Sequence, residues 1–326
     1  MTEFSRQALV ADIGHTNMRF ALADIDELTI RDFAIMSTPM FSGAGEALEA
    51  YLRTVPDRPS MVAISVAGPV AEGKARLSRS IWSFAVEDIR NVIDAEVCLI
   101  NEIEGLAQLL PHLVEHDVHN LGGLQGDPQA PKLVVGVGTT VSLSGLVPTT
   151  SEPVVIGGQS EAIAFACQSE REAALVRAMP HQFPYAAAGD VLSASGLVAL
   201  HKALKGATAD TSNAADIVHA ALAHQDQAAK QAVEQFISWL GGFAADMTLA
   251  YGAAGGVYLA GGMPRAMLEV LQSGLFRAAF EARGDAAEML AGIPVNVITA
   301  PDACLRAAAL AASRALREGG PLASAA

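Results

Sequence analysis

Residues 8–22 read Ala8-Leu9-Val10-Ala11-Asp12-Ile13-Gly14-His15-Thr16-Asn17-Met18-Arg19-Phe20-Ala21-Leu22. Ala8-Leu9-Val10-Ala11 is an unbroken apolar run of strand length that delivers a carboxylate, Asp12, at its end. Gly14, His15, Thr16 and Asn17 are small or hydrogen-bonding, as a tight turn requires. A second strand follows at once, with Met18, Phe20 and Leu22 on one face and Arg19 on the other. The pattern is strand, polar turn, returning strand.

The same pattern recurs. Leu133-Val134-Val135 runs into Gly136-Val137-Gly138-Thr139-Thr140, and residues 141–146 return as a strand. The echo points to an internal duplication in which both turns face a common ligand. Between the two units lie apolar strands at 61–67, stopped by Gly68-Pro69, and at 97–100, which delivers Asn101-Glu102 at its end. Polar groups at strand ends in α/β sheets are where ligands usually sit. A loop rich in Gly, Gln, Asp and Pro spans 121–131, and residues from about 160 to 250 read mostly as helix. Val233, Phe236, Ile237, Leu240, Phe243 and Met247 make one apolar helical face. A strand ends in Gly261-Gly262, another covers 294–298, and an alanine-rich helix covers about 304–316 before a tail from residue 318 that reads as frayed. Strands alternating with helices predict an α/β fold, and the restart near 121–132 predicts two domains.

Composition excludes several classes of function. The 326 residues carry a net charge of −14, so the general surface repels phosphate backbones and nucleic-acid binding is disfavoured. An anionic ligand then has to be held by backbone N–H groups, a metal or a local cation. Cys98, Cys167 and Cys304 are scattered, without zinc-knuckle or Cys-x-x-Cys spacing, which predicts a reducing, cytoplasmic setting. The most apolar segment, 236–263, is interrupted by Asp246 and by glycines, so a core helix followed by a buried strand is expected there and not a membrane span.

The turn after Asp12 offers a carboxylate to hydrated Mg²⁺ and N–H and hydroxyl donors to phosphate. On its own it is equally an Asx-type hairpin turn without a ligand. The second turn, Gly136 to Thr140, shifts the balance, because two such turns can grip one polyphosphate. A dinucleotide fingerprint fails: Val141 stands where its third glycine belongs, and a strand follows instead of a helix. A Walker phosphate loop is absent as well.

These residues resemble the bacterial ATP-dependent glucokinase family, of the actin-like (ribonuclease H-like) sugar-kinase superfamily, nearly end to end. The likeness rests on Asp12-Ile13-Gly14-x-Thr16-Asn17-x-Arg19, Ala67-Gly68-Pro69-Val70, Leu77-Ser78-x-x-Ile81-Trp82-Ser83-Phe84 and Ile100-Asn101-Glu102. It continues through Gly136-x-Gly138-Thr139, Val191-Leu192-Ser193-x-x-Gly196-Leu197 and Gly255-Gly256-Val257-Tyr258-Leu259-Ala260-Gly261-Gly262. Phe276-Arg277-Ala278-Ala279-Phe280-Glu281 and Ile293-Pro294-Val295 complete it, and the zinc motif of the other bacterial sugar-kinase branch is missing. The resemblance implies a two-domain kinase with an interdomain active cleft, one domain of residues 1–107 plus 301–326 and a larger one of 108–300. It implies transfer from Mg·ATP to the 6-hydroxyl of a hexose, glucose in the first place, at the entry to glycolysis, by a cytoplasmic homodimer.

By the same resemblance, Glu102 holds the position of the catalytic base and Asn101 that of a sugar contact. Asp12 matches the Mg²⁺ position, reached through water, and Thr16 and Thr139 the phosphate positions. Gly14, His15, Asn17, Gly138 and Thr140 share those turns, and Gly261 and Gly262 match the segment near adenosine. The family pattern also breaks in places. His15 replaces a glycine, Glu102 an aspartate, and Thr140 and Ser142 two further glycines. Gln159 and Ala162 stand where the family's sugar shell has Glu and His, Gly189 and Asp190 where it has its third acid, and Arg79 where it has an asparagine. Sites of this kind discriminate through those hydrogen bonds. Three readings therefore stay open: a glucokinase whose shell is rebuilt from Gln159 and Glu161 or Asp190; a kinase for a different polyol or modified sugar, with Arg79 facing an acidic substituent; and a weak or inactive paralogue that binds sugar or nucleotide.

Other features carry bland expectations. His112, His116 and His119, spaced as on one helix face, read as solvated surface and not as a metal site. Trp82 and Phe84 read as core anchors beside the site, and Cys98 as a buried, inert thiol.

Overall fold

The computed structural model describes residues 6–206 and 212–318. They divide into two compact units, one of residues 6–113 and 300–318 and the other of Val114–Thr299. The tail after residue 318, expected to fray, lies outside the described residues.

The first unit is organised by β1 (Gln7–Ile13), β2 (Asn17–Asp24), β3 (Thr29–Ser37) and β4 (Met61–Val66). The short strands β5 (Val70–Ala71), β6 (Lys74–Arg76) and β7 (Ser83–Ala85) form a small sheet of their own, and β8 (Glu96–Asn101) returns to the main one. The main sheet runs β3-β2-β1-β4-β8, with β1–β2 and β2–β3 antiparallel and β1–β4 and β4–β8 parallel. Alternation sorts its side chains between two layers. Leu9, Ala11 and Ile13 face a core with Leu48, Tyr51 and Ile89, whereas Ala8 and Val10 face Leu305, Ala308 and Ala312 of the C-terminal helix, Ala303–Glu318. Small residues dominate both sides of this second layer, so helix and sheet approach closely. The last helix of the chain thereby covers the first sheet. The helix Glu102–Leu109 crosses the domain boundary expected at residue 107, and the unit continues to residue 113.

The second unit contains β9 (Val118–Asn120), β10 (Lys132–Val137), β11 (Val141–Val147), β12 (Val154–Gly157), β13 (Val257–Ala260) and β14 (Val295–Ile298), in the sheet order β12-β11-β10-β13-β14-β9. Its first five strands repeat the directions of the first unit: an antiparallel meander, then two parallel neighbours. The repeated strand–turn–strand of the sequence is a repeated sheet topology. The helix Gln227–Tyr251 lies in the core through Phe236, Ile237 and Leu240, and Asp226 caps it by accepting from the N–H groups of Ala228 and Ala229.

Three features depart from expectation. The strands β3, β5, β6, β7 and β12 are short, exposed or both, so their alternation carries little apolar signal. The histidines do not share a helix: His112 ends one 3₁₀ turn, His116 lies in another and His119 lies on β9, because Pro111 and the extended residues 113–114 break the run. Within 160–250, residues 178–187 are irregular. Phe84 is buried and meets the half-buried Trp82 edge to face, at 6.2 Å between ring centres. No helix among the described residues is long and apolar enough to cross a membrane.

Candidate active site

In the first unit the polar ends of β1 and β8 define the site. Asp12 is only 4% exposed, and the hairpin register sets it opposite Arg19. The Arg19 guanidinium donates to Asp12 Oδ2 at 2.7 Å, which supplies the counter-charge a buried carboxylate needs. The turn itself is closed by the N–H of Gly14 donating to the carbonyl of Asn17 at 3.1 Å. It is tied to the end of β3 by the Thr38 hydroxyl, which donates to the Gly14 carbonyl at 2.7 Å. Thr16 is left exposed at the tip. The ring of His15 is hydrogen-bonded through Nε2 to the carbonyl of Ser78. That contact anchors the turn to the loop 77–82, where Arg79 is half-buried with a left-handed φ of 54°.

Asn101 ends β8 and begins the helix Glu102–Leu109. Its Oδ1 accepts from the N–H groups of Ile103 and Glu104 at 3.0 and 3.1 Å, and its Nδ2 donates to the Gly68 carbonyl at 2.8 Å. Both ends of the amide of this expected sugar contact are therefore engaged inside the unit. Glu102 is held at the first helical position, where backbone N–H groups favour a negative side chain. Burial raises the carboxyl of Glu104 on the same turn above its ordinary value.

One member of this constellation was not legible as such. Cys304, at the start of the C-terminal helix, places Sγ 3.6 Å from Glu102 Oε1. One ligand-type atom each from Asp12, Glu102 and Cys304 lie within 4.8 Å of one another. The residues come from three distant parts of the chain, so no spacing rule connects Cys304 to the acids.

The second unit carries the second turn. Gly138 donates its N–H to the Thr140 carbonyl at 3.0 Å, and its own carbonyl accepts from the N–H of Ala194 at 2.9 Å, at the start of the helix Ala194–Lys205. Nothing lies within 4 Å of where a Gly138 Cβ would be, so the turn presents an open backbone. Thr140 Oγ1 is buried without a hydrogen-bond partner. Gly261 follows β13 with φ of 99°, and a Cβ there would collide with the Val137 carbonyl. Glycine is required at that position. Gly262, next to it, is exposed and open.

The expected sugar shell is less uniform. Gln159 is exposed and Glu161 half-buried, flanking Ser160 at the end of β12. Asp190 is 5% exposed and accepts from the N–H of Gln182 at 3.0 Å, with His181 Nδ1 at 3.9 Å, so its carboxylate braces the 181–190 segment.

The fold is shared with solved sugar kinases. The crystal structure of a glucokinase from an Antarctic psychrotroph superposes with a TM-score of 0.78 at 29% identity, covering 95% of this chain and 99% of that one. A ROK family glucokinase from Streptomyces griseus, solved with glucose and AMPPNP, shares the fold at TM-score 0.66 and 15% identity, over 94% of this chain and 99% of that one. The architecture is therefore that of the two-domain, actin-like sugar kinases. The glucokinase of Aromatoleum aromaticum is 32% identical over 314 residues, which is 94% of this chain and 95% of that protein. The family model for glucokinase matches residues 9–315, and the chain belongs to the glucokinase family.

Proposed function

We propose that this chain transfers the γ-phosphoryl group of ATP to the 6-hydroxyl of glucose. The observation that carries the proposal is a pair of carboxylates, Asp12 near the end of β1 and Glu102 at the start of the helix after β8, with an oxygen of each within 4.8 Å of the other in a chain of the glucokinase family. The reaction needs a base for the hydroxyl proton and fixed partners for the phosphate charge.

Glu102 accepts the proton on a carboxylate oxygen. Asn101 acts on it as a positioning residue, because its cap fixes the turn that begins with Glu102. Asp12, neutralised by Arg19, fits a hydrated Mg²⁺ as an oxygen donor, and the open backbone at Gly138 and the exposed Thr16 fit phosphate oxygens. The buried Thr140 hydroxyl is a further donor without a partner of its own. When bound, Mg²⁺ supplies charge neutralisation for the phosphoryl oxygens. Gly262, with open space where a Cβ would be, suits the close approach of the adenosine, and Gly261 supplies the positive φ of the turn before it. Among the altered positions, the exposed Gln159 and the half-buried Glu161 and Arg79 are accessible to a sugar hydroxyl. The scattered cysteines support a cytoplasmic enzyme, and the family resemblance supports a homodimer acting at the entry to glycolysis.

ADP release from Mg·ATP by the purified protein, with glucose, mannose, fructose, glucosamine and glucuronate offered in turn, tests the reading. Glucose-dependent turnover is expected. A folded protein silent with glucose and active with another sugar would replace the substrate, and silence with all of them would overturn the activity.

A further inference from the structure

The structure assigns to Asp12, Glu102 and Cys304 a second kind of ligand: a thiophilic divalent cation of the Zn²⁺ class. The site combines two carboxylates and one thiol, with one ligand atom of each inside 4.8 Å of the others. In a tetrahedral zinc site, with Zn–S about 2.3 Å and Zn–O about 2.1 Å, the sulfur–oxygen edge is about 3.6 Å. Cys304 Sγ and Glu102 Oε1 stand 3.6 Å apart. That edge is already formed, and Asp12 has to close by little more than about an ångström to complete a three-ligand face.

An independent observation marks the same place. Ser65 pairs with Asp12 in the parallel register of β1 and β4, so the two side chains share one face of the sheet. The hydroxyl of Ser65 is fully buried and has no hydrogen-bond partner. A buried donor without an acceptor is costly, and a water or hydroxide carried by a bound cation gives it one.

The donor set decides the metal. Mg²⁺ demands oxygen ligands in octahedral array, and a thiolate gives it nothing, whereas Zn²⁺ and Cd²⁺ gain from sulfur. Binding exchanges the Cys304 S–H bond for a sulfur–metal bond, and the thiol proton leaves to solvent. Arg19 donates to Oδ2 of Asp12, so a bound cation shares this carboxylate with the guanidinium. An ion seated here occupies both carboxylates of the proposed phosphoryl transfer, so it inhibits. The inhibition rests on that reading, and the binding does not.

The test uses the full chain without nucleotide or sugar, titrated with Cd²⁺ alone and followed by its ultraviolet thiolate-to-metal charge-transfer band. Zn²⁺ alone is titrated in parallel against a chromophoric chelator. One cation per chain is expected, undisturbed by excess Mg²⁺. Cys304→Ala abolishes the band, and Cys304→Ser, which keeps a polar group of similar size, weakens binding by more than the roughly 10–100-fold that loss of an outer-shell partner costs. Asp12→Asn and Glu102→Gln each weaken binding while the band persists, and Cys167→Ser leaves it intact. The assignment is overturned if the parent shows no band. A band that survives Cys304→Ala but not Cys167→Ser overturns it too, as does an affinity indifferent to both carboxylate substitutions. Circular dichroism separates lost binding from lost fold, and none of these readouts depends on kinase activity.

Discussion

Arg19 holds Asp12 across the hairpin at 2.7 Å, with the carboxylate side chain 5% exposed and the guanidinium side chain 25% exposed. The pair spans opposite positions of β1 and β2, so strand register alone brings the charges together. Replacing Arg19 with Met leaves a buried carboxylate without its cation. The expected loss is about 1–3 kcal/mol of stability, read as a lower urea midpoint. Asp12→Asn in the same background should recover most of it. No loss in the single variant would show that the pair contributes nothing.

Glu102→Gln removes the proposed base and keeps its shape. Turnover should fall by roughly 10²–10⁴-fold with the KM for glucose little changed, and Glu102→Asp should retain activity. Steady-state kinetics on both variants decides the matter: parental turnover in the Gln variant excludes Glu102 as base.

Asn101 caps a helix and ties it to Gly68. Asn101→Ala is expected to cost about 1–2 kcal/mol in denaturant unfolding, and Asn101→Asp, which still caps but cannot donate to Gly68, should recover part. A raised KM for glucose with unchanged stability would instead make Asn101 a sugar contact alone.

Asp226 caps the long helix of the second unit. Its carboxyl lies at about 2, below the ordinary 3.8, chiefly because the N–H of Ala229 donates to it, with Lys205 and Ala228 adding to the effect. A depressed folded value means that the carboxylate stabilises above its unfolded value and that this is lost as pH falls from about 4 towards 2. Asp226→Ala should be about 1 kcal/mol less stable than the parent at neutral pH, and the gap should close across that acid range. Unfolding curves at several pH values test it, and a gap that does not change with pH counts against the cap.

Gly261→Ala forces a side chain onto a positive φ and against the Val137 carbonyl. About 1–3 kcal/mol of strain is expected before any collision is counted, visible as a lower Tm. Gly262→Ala, where the space is open, should be close to neutral and serves as the control.

The sheets and their polar turns were legible from local pattern. Alternation in Ala8-Leu9-Val10-Ala11 sorts onto two layers, and Asp12, Asn101, Gly138 and Gly261 fall at the strand ends the sequence implies. Such features depend on residues a few positions apart, and the physics that reads them is short-ranged. The weak strands escaped because exposed edges carry no apolar period, and the histidines were placed on a helix that Pro111 interrupts.

What surrounds each site residue came from packing. His15 meets Ser78 from 63 residues away, and Cys304 meets Glu102 from 202 residues away. Asn101 is the sugar contact of a motif when read in line and a helix cap when its amide is seen between Gly68 and Glu104. Local periodicity specifies which residues form a strand and which face they take. Which thiol stands beside which carboxylate is set by the close seating of the alanine-rich C-terminal helix on the first sheet, a contact between the two ends of the chain.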